Sequence, residues 1–261
     1  MNPFAYEFMR NAYAACAIVS LVAGAVGYLL VLRGETFAGH ALSHAGFPGA
    51  TGAALIGVSP FLGLTAFTLL AGIGIGLLGE KAQRDVAIGV VLTASLGLGL
   101  LFLHFYTAYA SLATNILFGN VLGIDAGTVK LLFALGLGSL AALAIIARPL
   151  LFASLQPELA EARGVRQDVT SSLFMAIVAI STAEAIQIVG VLLVFALMVA
   201  PAASAARLTR TVATGIALSV AIALTVAWAS LTLAFYTDWP TSFWITALGA
   251  GSYLASLAAA R

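Results

Sequence analysis

The sequence predicts an all-α protein, a polytopic transmembrane helical bundle of roughly nine spans. Three observations predict it: a shortage of charge, a series of long charge-free runs, and a one-sided distribution of Lys and Arg. Hydrophobic residues make up 62% of the 261 positions and charged residues only 8%, whereas an ordinary soluble domain is about 25% charged. So little polar surface cannot cover a water-soluble body of this size. The runs 11–32, 36–79, 86–124, 131–147, 211–237 and 239–260 contain no Asp, Glu, Lys or Arg, and 169–206 contains only Glu184. A helix needs about 20 apolar residues to cross the hydrocarbon core. Each run therefore holds one span or two.

In order, the expected spans are 11–32, 41–57, 61–78, 86–106, 128–147, 170–184, 187–206, 211–235 and 242–260. The first is too long for a signal peptide and is followed by further spans, so it reads as a retained helix. Gly57-Val58-Ser59-Pro60 is a turn signal that separates the second from the third. The Gly- and Asn-rich segment 107–127 is too irregular for a clean span and is expected to hold a short interfacial or re-entrant helix. The spans at 41–57 and 170–184 are short, a feature associated with transport pathways. Many of the 26 glycines stand at small-residue spacing, such as Gly72, Gly74 and Gly76, which lets helix backbones approach closely in lipid.

With nine spans, Arg33, Lys81, Arg84, Arg148, Arg163, Arg166, Arg207, Arg210 and Arg261 fall on one side, and only Arg10 and Lys130 on the other. Basic residues favour cytoplasmic loops. The amino terminus is thus expected outside and the carboxyl terminus in the cytoplasm. The chain reads as one transmembrane domain over 1–261, with its densest charge in the cytoplasmic loop 148–169. Within that loop Pro157 suits a first helical turn, Glu158 and Glu161 its positive end, and Gly164 its termination. A short amphipathic helix is expected there; an ordinary surface connector is the plain alternative.

Ionisable groups inside spans are costly and therefore functional candidates. His40 and His44, in Gly39-His40-Ala41-Leu42-Ser43-His44, are spaced i, i+4, which stacks two imidazoles on one helix face. Imidazole is a strong ligand for zinc and other late first-row ions. Two nitrogens do not fill a tetrahedral site, but a two-fold dimer with this helix at its axis would bring four together. An interfacial His pair near Arg33 and Glu35 is the alternative. Glu184 could be a pathway carboxylate; with the boundaries above it falls at an outer loop, where a solvated Glu needs no explanation. His104, among Phe102, Phe105 and Tyr106, reads as a residue of the interfacial aromatic belt, as do Trp228, Trp239 and Trp244. No phosphate-binding loop, nucleophile elbow or His-Glu-x-x-His pattern is present, so transport energy must come from a partner or a gradient. A net charge of +1 argues against a nucleic-acid partner, and the lone Cys16 can form no intrachain disulfide.

Five blocks in order resemble the membrane permease subunits of zinc and manganese ABC importers. They are Val31-Leu32-Arg33 with Gly39 to Ala45 and Gly49; Ile116 to Gly123; Gln156-Pro157-Glu158-Leu159-Ala160 with Gly164-Val165; Val189 to Val194 with Ala200 to Ala205; and Tyr236 to Thr241. The resemblance implies a homodimeric permease, or a pseudo-symmetric pair, in the bacterial plasma membrane, with a cytoplasmic ATP-binding subunit and an extracytoplasmic metal-binding receptor as partners. It implies that Gln156, Pro157, Glu158, Leu159, Ala160 and Gly164 form a coupling helix that docks on the ATPase. It further implies that the His40/His44 face lies on the metal path. The usual family pattern has Asp where this chain has His40, and a pure imidazole pair shifts the preference toward zinc over manganese. The expected function is thus a non-enzymatic transport subunit for a divalent transition metal. No cofactor is held permanently, and the zinc or manganese ion is cargo. The rival readings are a permease for a siderophore or cobalamin, which would need a wide cavity, and a gradient-driven secondary transporter, which would carry more intramembrane carboxylates.

Overall fold

The computed structural model describes residues 3–78, 84–105 and 115–259, and among these it is helical with no strand. Residues 106–114, the first part of the segment expected to hold a re-entrant helix, lie outside the described residues, as do 79–83 with Lys81. The helices are α1 (Glu7–Leu32), α2 (Thr36–Leu55), α3 (Pro60–Leu78), α4 (Arg84–His104), α5 (Ala126–Leu155) and α6 (Pro157–Ala162). They continue as α7 (Gln167–Val189), α8 (Val194–Met198), α9 (Ala200–Leu208), α10 (Val212–Thr237) and α11 (Thr241–Ala259). Seven of these, α1, α3, α4, α5, α7, α10 and α11, are long and apolar enough to cross a membrane. The remaining two of the nine expected spans correspond to the less apolar α2 and to the short, interrupted α8–α9, so a count of nine is not shown.

The expected break between 170–184 and 187–206 is corrected. α7 runs on to Val189, and the chain turns at Gly190, whose φ of +74° ends the helix in the left-handed region. Only a residue without Cβ adopts that conformation freely. Glu184 consequently lies inside a helix.

The chain divides into two compact units. The first comprises residues 1–34, 114–137 and 184–261. Its framework is the pair α1 and α10, two helices of 26 residues each. Gly24 faces the Val220 backbone so closely that an added Cβ would lie 2.7 Å from the Val220 Cα. Polar side chains tie the same seam. The Ser219 hydroxyl donates to the Gly24 carbonyl (2.7 Å), and the Trp228 indole N–H donates to the Tyr13 carbonyl (3.1 Å). The second unit comprises 35–113 and 138–183. Here α2 is wrapped by α3 and α4, with Gly49 against the Gly63 carbonyl and Gly99 against the Phe47 ring. A Cβ at either glycine would overlap those atoms, so close packing of small residues holds this unit.

Candidate functional site

Both sequence-selected histidines lie in the first half of α2, within the second unit. Their rings stand edge to face with centroids 4.8 Å apart, and both are half-buried. The i, i+4 spacing has thus placed the imidazoles on one face, as expected. Four residues beyond His44 the helix contains Pro48. Proline has no N–H, so the His44 carbonyl cannot receive its usual bond from position 48. The Thr51 hydroxyl bonds back to the Phe47 carbonyl (2.9 Å) in the following turn. The sequence reading passed over Pro48, although a proline four residues after a candidate ligand is a visible signal.

Glu184 is not the solvated loop residue that the sequence suggested. It is 0% exposed, and neither carboxylate oxygen has a hydrogen-bond partner among the described residues. Within the first unit it faces Gly136 of α5. A Cβ built there would lie 3.6 Å from Glu184 Oε2, 3.0 Å from Val22 Cγ2 and 3.2 Å from Ile18 Cγ2. Ile18 and Val22 lie near the middle of α1, so the carboxylate sits level with the midpoint of that helix. A carboxylate buried without a partner in an apolar span is expensive, which makes Glu184 a functional candidate. Gly136, which leaves room for it, carried no sequence signal: its role depends on residues more than 40 positions away.

No group of three or more His, Cys, Asp or Glu side chains comes together among the described residues. The histidines stand as a pair, and His104 pairs with the Phe105 ring (5.3 Å). Trp239, Phe243 and Trp244 form an exposed aromatic cluster, with Trp239 and Trp244 stacked at 5.6 Å.

The loop helix is α6. It starts at Pro157, carries Glu158 in its first turn and ends at Ala162, and Gly164 just beyond it turns the chain with φ +81°. Ala160 is buried beneath it, whereas Leu159 is 46% exposed. The Val165 N–H donates to the Ala160 carbonyl (3.0 Å), and the Gln167 side chain donates to the Pro157 carbonyl (2.8 Å). These bonds close the loop and fasten α6 to the first turn of α7.

Comparison with known proteins places this architecture. The model of the ABC 3 transport family matches residues 5–260. The manganese import system permease protein ScaB of Streptococcus parasanguinis is 33% identical over 202 residues, covering 77% of this chain and 72% of that protein. The manganese transport system membrane protein MntC of Listeria monocytogenes is 32% identical over 78% of this chain and 74% of its own length. A probable iron transport system membrane protein of Haemophilus influenzae is 27% identical across 99% of this chain and 96% of its own. Among solved structures, PsaBC from Streptococcus pneumoniae in complex with Fab superposes with a TM-score of 0.86 at 29% identity, covering 96% of this chain and 91% of that one. These names do not favour zinc over manganese. An all-helical chain with seven helices fit to span, matched over nearly its full length, belongs to the ABC 3 transport family and is a membrane permease subunit of a metal ABC transporter.

Proposed function

We propose that this permease imports a divalent transition-metal ion, which passes along the His40/His44 face of α2. The observation that carries the reading is the pair of half-buried imidazoles, ring centroids 4.8 Å apart, on a helix wrapped by α3 and α4. Two nitrogens give a weak, open site, and a weak site suits transport because the ion must leave. In a homodimer with α2 near the two-fold axis, two such pairs would complete the coordination. A purely imidazole site favours zinc, the first reading. Manganese is the second; it is favoured by the manganese permeases among the relatives and by Glu184, which offers harder oxygen donors to an ion. Glu184 is proposed as an ion-handling group on its own evidence of burial without a partner.

The rest of the machine follows from the missing phosphate loop. An ATP-binding subunit on the cytoplasmic side supplies energy through α6, where Gln156, Pro157, Glu158, Leu159, Ala160 and Gly164 form the coupling surface. A metal-binding receptor delivers the ion on the other side, at which the amino terminus lies, and the carboxyl terminus is cytoplasmic. The complex resides in the plasma membrane.

The deciding experiment is uptake of radioactive zinc and manganese by the reconstituted complex, wild type against His44→Ala. Loss of uptake with normal assembly is expected. Unchanged uptake of both ions would remove His44 from the path, and a clear manganese preference in the wild type would reverse the order of the two ions.

A further inference from the structure

Two of the five family-like sequence blocks, Ile116 to Gly123 and Val189 to Val194, have no role in the function described so far, and the first unit brings them together. The Val191 N–H donates to the Ile116 carbonyl (2.9 Å), the Leu192 N–H to the Leu117 carbonyl (3.2 Å), and the Asn120 N–H to the Gln187 carbonyl (3.4 Å). At the crossing lie Gly119 and Gly190, with φ of +76° and +74°. A Cβ on Gly119 would lie 2.6 Å from the Gly190 nitrogen, and one on Gly190 would lie 2.5 Å from the Leu117 carbonyl carbon. Backbone meets backbone with no side chain between. A further anchor comes from the start of α11, where the Ser242 hydroxyl donates to the Phe118 carbonyl (2.7 Å).

We infer that this pairing is a fixed clasp whose task is to seat the last turn of α7 and thereby position Glu184, with Gly119 and Gly190 as positioning residues. The inference rests on Glu184 being an ion-handling group. Glu184 has no hydrogen bond to hold it, so its place is set by the backbone of α7 and by packing against α1 and α5. Gln187, three residues on, accepts the clasp bond from Asn120, and Ile186 accepts from Gly190. Positions three residues apart share a helix face, so a shift of the clasped turn displaces the carboxylate with it. The clasp itself is costly to open. Ile188, Gly190 and Val191 are buried, and parting the segments would strand backbone groups where water does not reach.

The test uses the permease reconstituted with its ATP-binding subunit in a Cys16→Ser background. The pair Leu117→Cys and Leu192→Cys is closed by oxidation. Closure with metal uptake within about twofold of the reduced form is expected. Uptake that collapses on closure and returns on reduction would show a gate rather than a seat, and failure of the pair to close would show that the segments are not held together; either overturns the inference. Separately, Gly119→Ala and Gly190→Ala complexes that assemble and hydrolyse ATP are expected to show a metal KM raised by about tenfold or more. Wild-type KM in both glycine variants overturns the clasp. Glu184→Gln in the same assay separates the two ideas, because wild-type uptake there would sink the reading of Glu184 and leave the clasp as plain structure.

Discussion

Glu184 and the histidine pair differ in how the fold treats them, and that difference predicts different mutational behaviour. A buried carboxylate with no partner lowers stability, since transfer from water is not repaid by a hydrogen bond or a cation. Replacing such a group by an apolar residue of similar volume is often neutral or stabilising, by about 1–4 kcal/mol. Glu184→Leu should therefore melt no lower than wild type while metal uptake by the assembled complex is lost. A variant that loses stability and uptake together would instead show a structural role for the carboxylate. The half-buried histidines carry no comparable penalty, and there the readout is ion choice. His40→Asp exchanges a nitrogen donor for oxygen, and hard oxygen ligands suit manganese better than zinc. The ratio of manganese to zinc uptake should rise in that variant, by direct competition of the two ions; an unchanged ratio would detach His40 from selectivity.

Among the elements, α2 and α5 show two ways in which local sequence sets helix behaviour. Pro48 withholds the amide that would ordinarily bond the His44 carbonyl one turn earlier. Pro48→Ala restores the amide and should raise thermal stability, by up to about 3 kcal/mol on helix propensity, while lowering uptake if the missing amide leaves the His44 carbonyl open to the ion. Unchanged uptake would deny the carbonyl a part. At the start of α5 the Asp125 carboxylate accepts the Thr128 N–H at 2.8 Å. Hydrogen bonds from Thr128 hold its carboxyl below the usual carboxylate range. Because the folded-state value is depressed, this cap is in place at neutral pH and is lost as pH falls through the folded value. Asn caps as well as Asp, so Asp125→Asn should keep its neutral-pH melting temperature and show a smaller acid-side loss than wild type. Much of this level was legible in the sequence. α10 and α11 fall within two residues of the expected 211–235 and 242–260, because charges and Asp238 bound them. α6 was legible from Pro157 and Gly164, which punctuate by conformation alone. The end of α7 was not, since a lone Glu in an apolar run reads as a loop until its surroundings are known. Those surroundings come from α1 and α5, and the Gly190 turn depends on Gly119, contacts that no local pattern encodes.

At the scale of the whole molecule, the import proposed above draws its energy from an ATP-binding partner, and α6 is the element proposed to receive it. It is one short helix closed on itself by the Val165–Ala160 and Gln167–Pro157 bonds, so it can move as a piece with the first turn of α7. Its buried Ala160 faces the permease, and its exposed Leu159 faces away, an apolar tip among Pro157, Glu158 and Glu161. An exposed aliphatic side chain on a short, internally bonded helix is suited to a pocket on a partner, where central apolar anchors carry most of the binding energy. The nearby Arg166–Asp168 pair at 3.0 Å is solvent-exposed and contributes little to that rigidity. Leu159→Arg should leave the permease folded, because the residue is 46% exposed on a short surface helix, and should weaken capture of the ATP-binding subunit by about tenfold or more. Gln167→Ala should act differently. Capture of the subunit is retained, but fewer metal ions move per ATP hydrolysed, because the strut between α6 and α7 is cut. Measuring subunit binding and the ratio of metal transported to ATP consumed in the same proteoliposomes separates the two effects. If Leu159→Arg binds the subunit normally, α6 is not the docking surface. If Gln167→Ala keeps the wild-type ratio, force reaches α7 by another route.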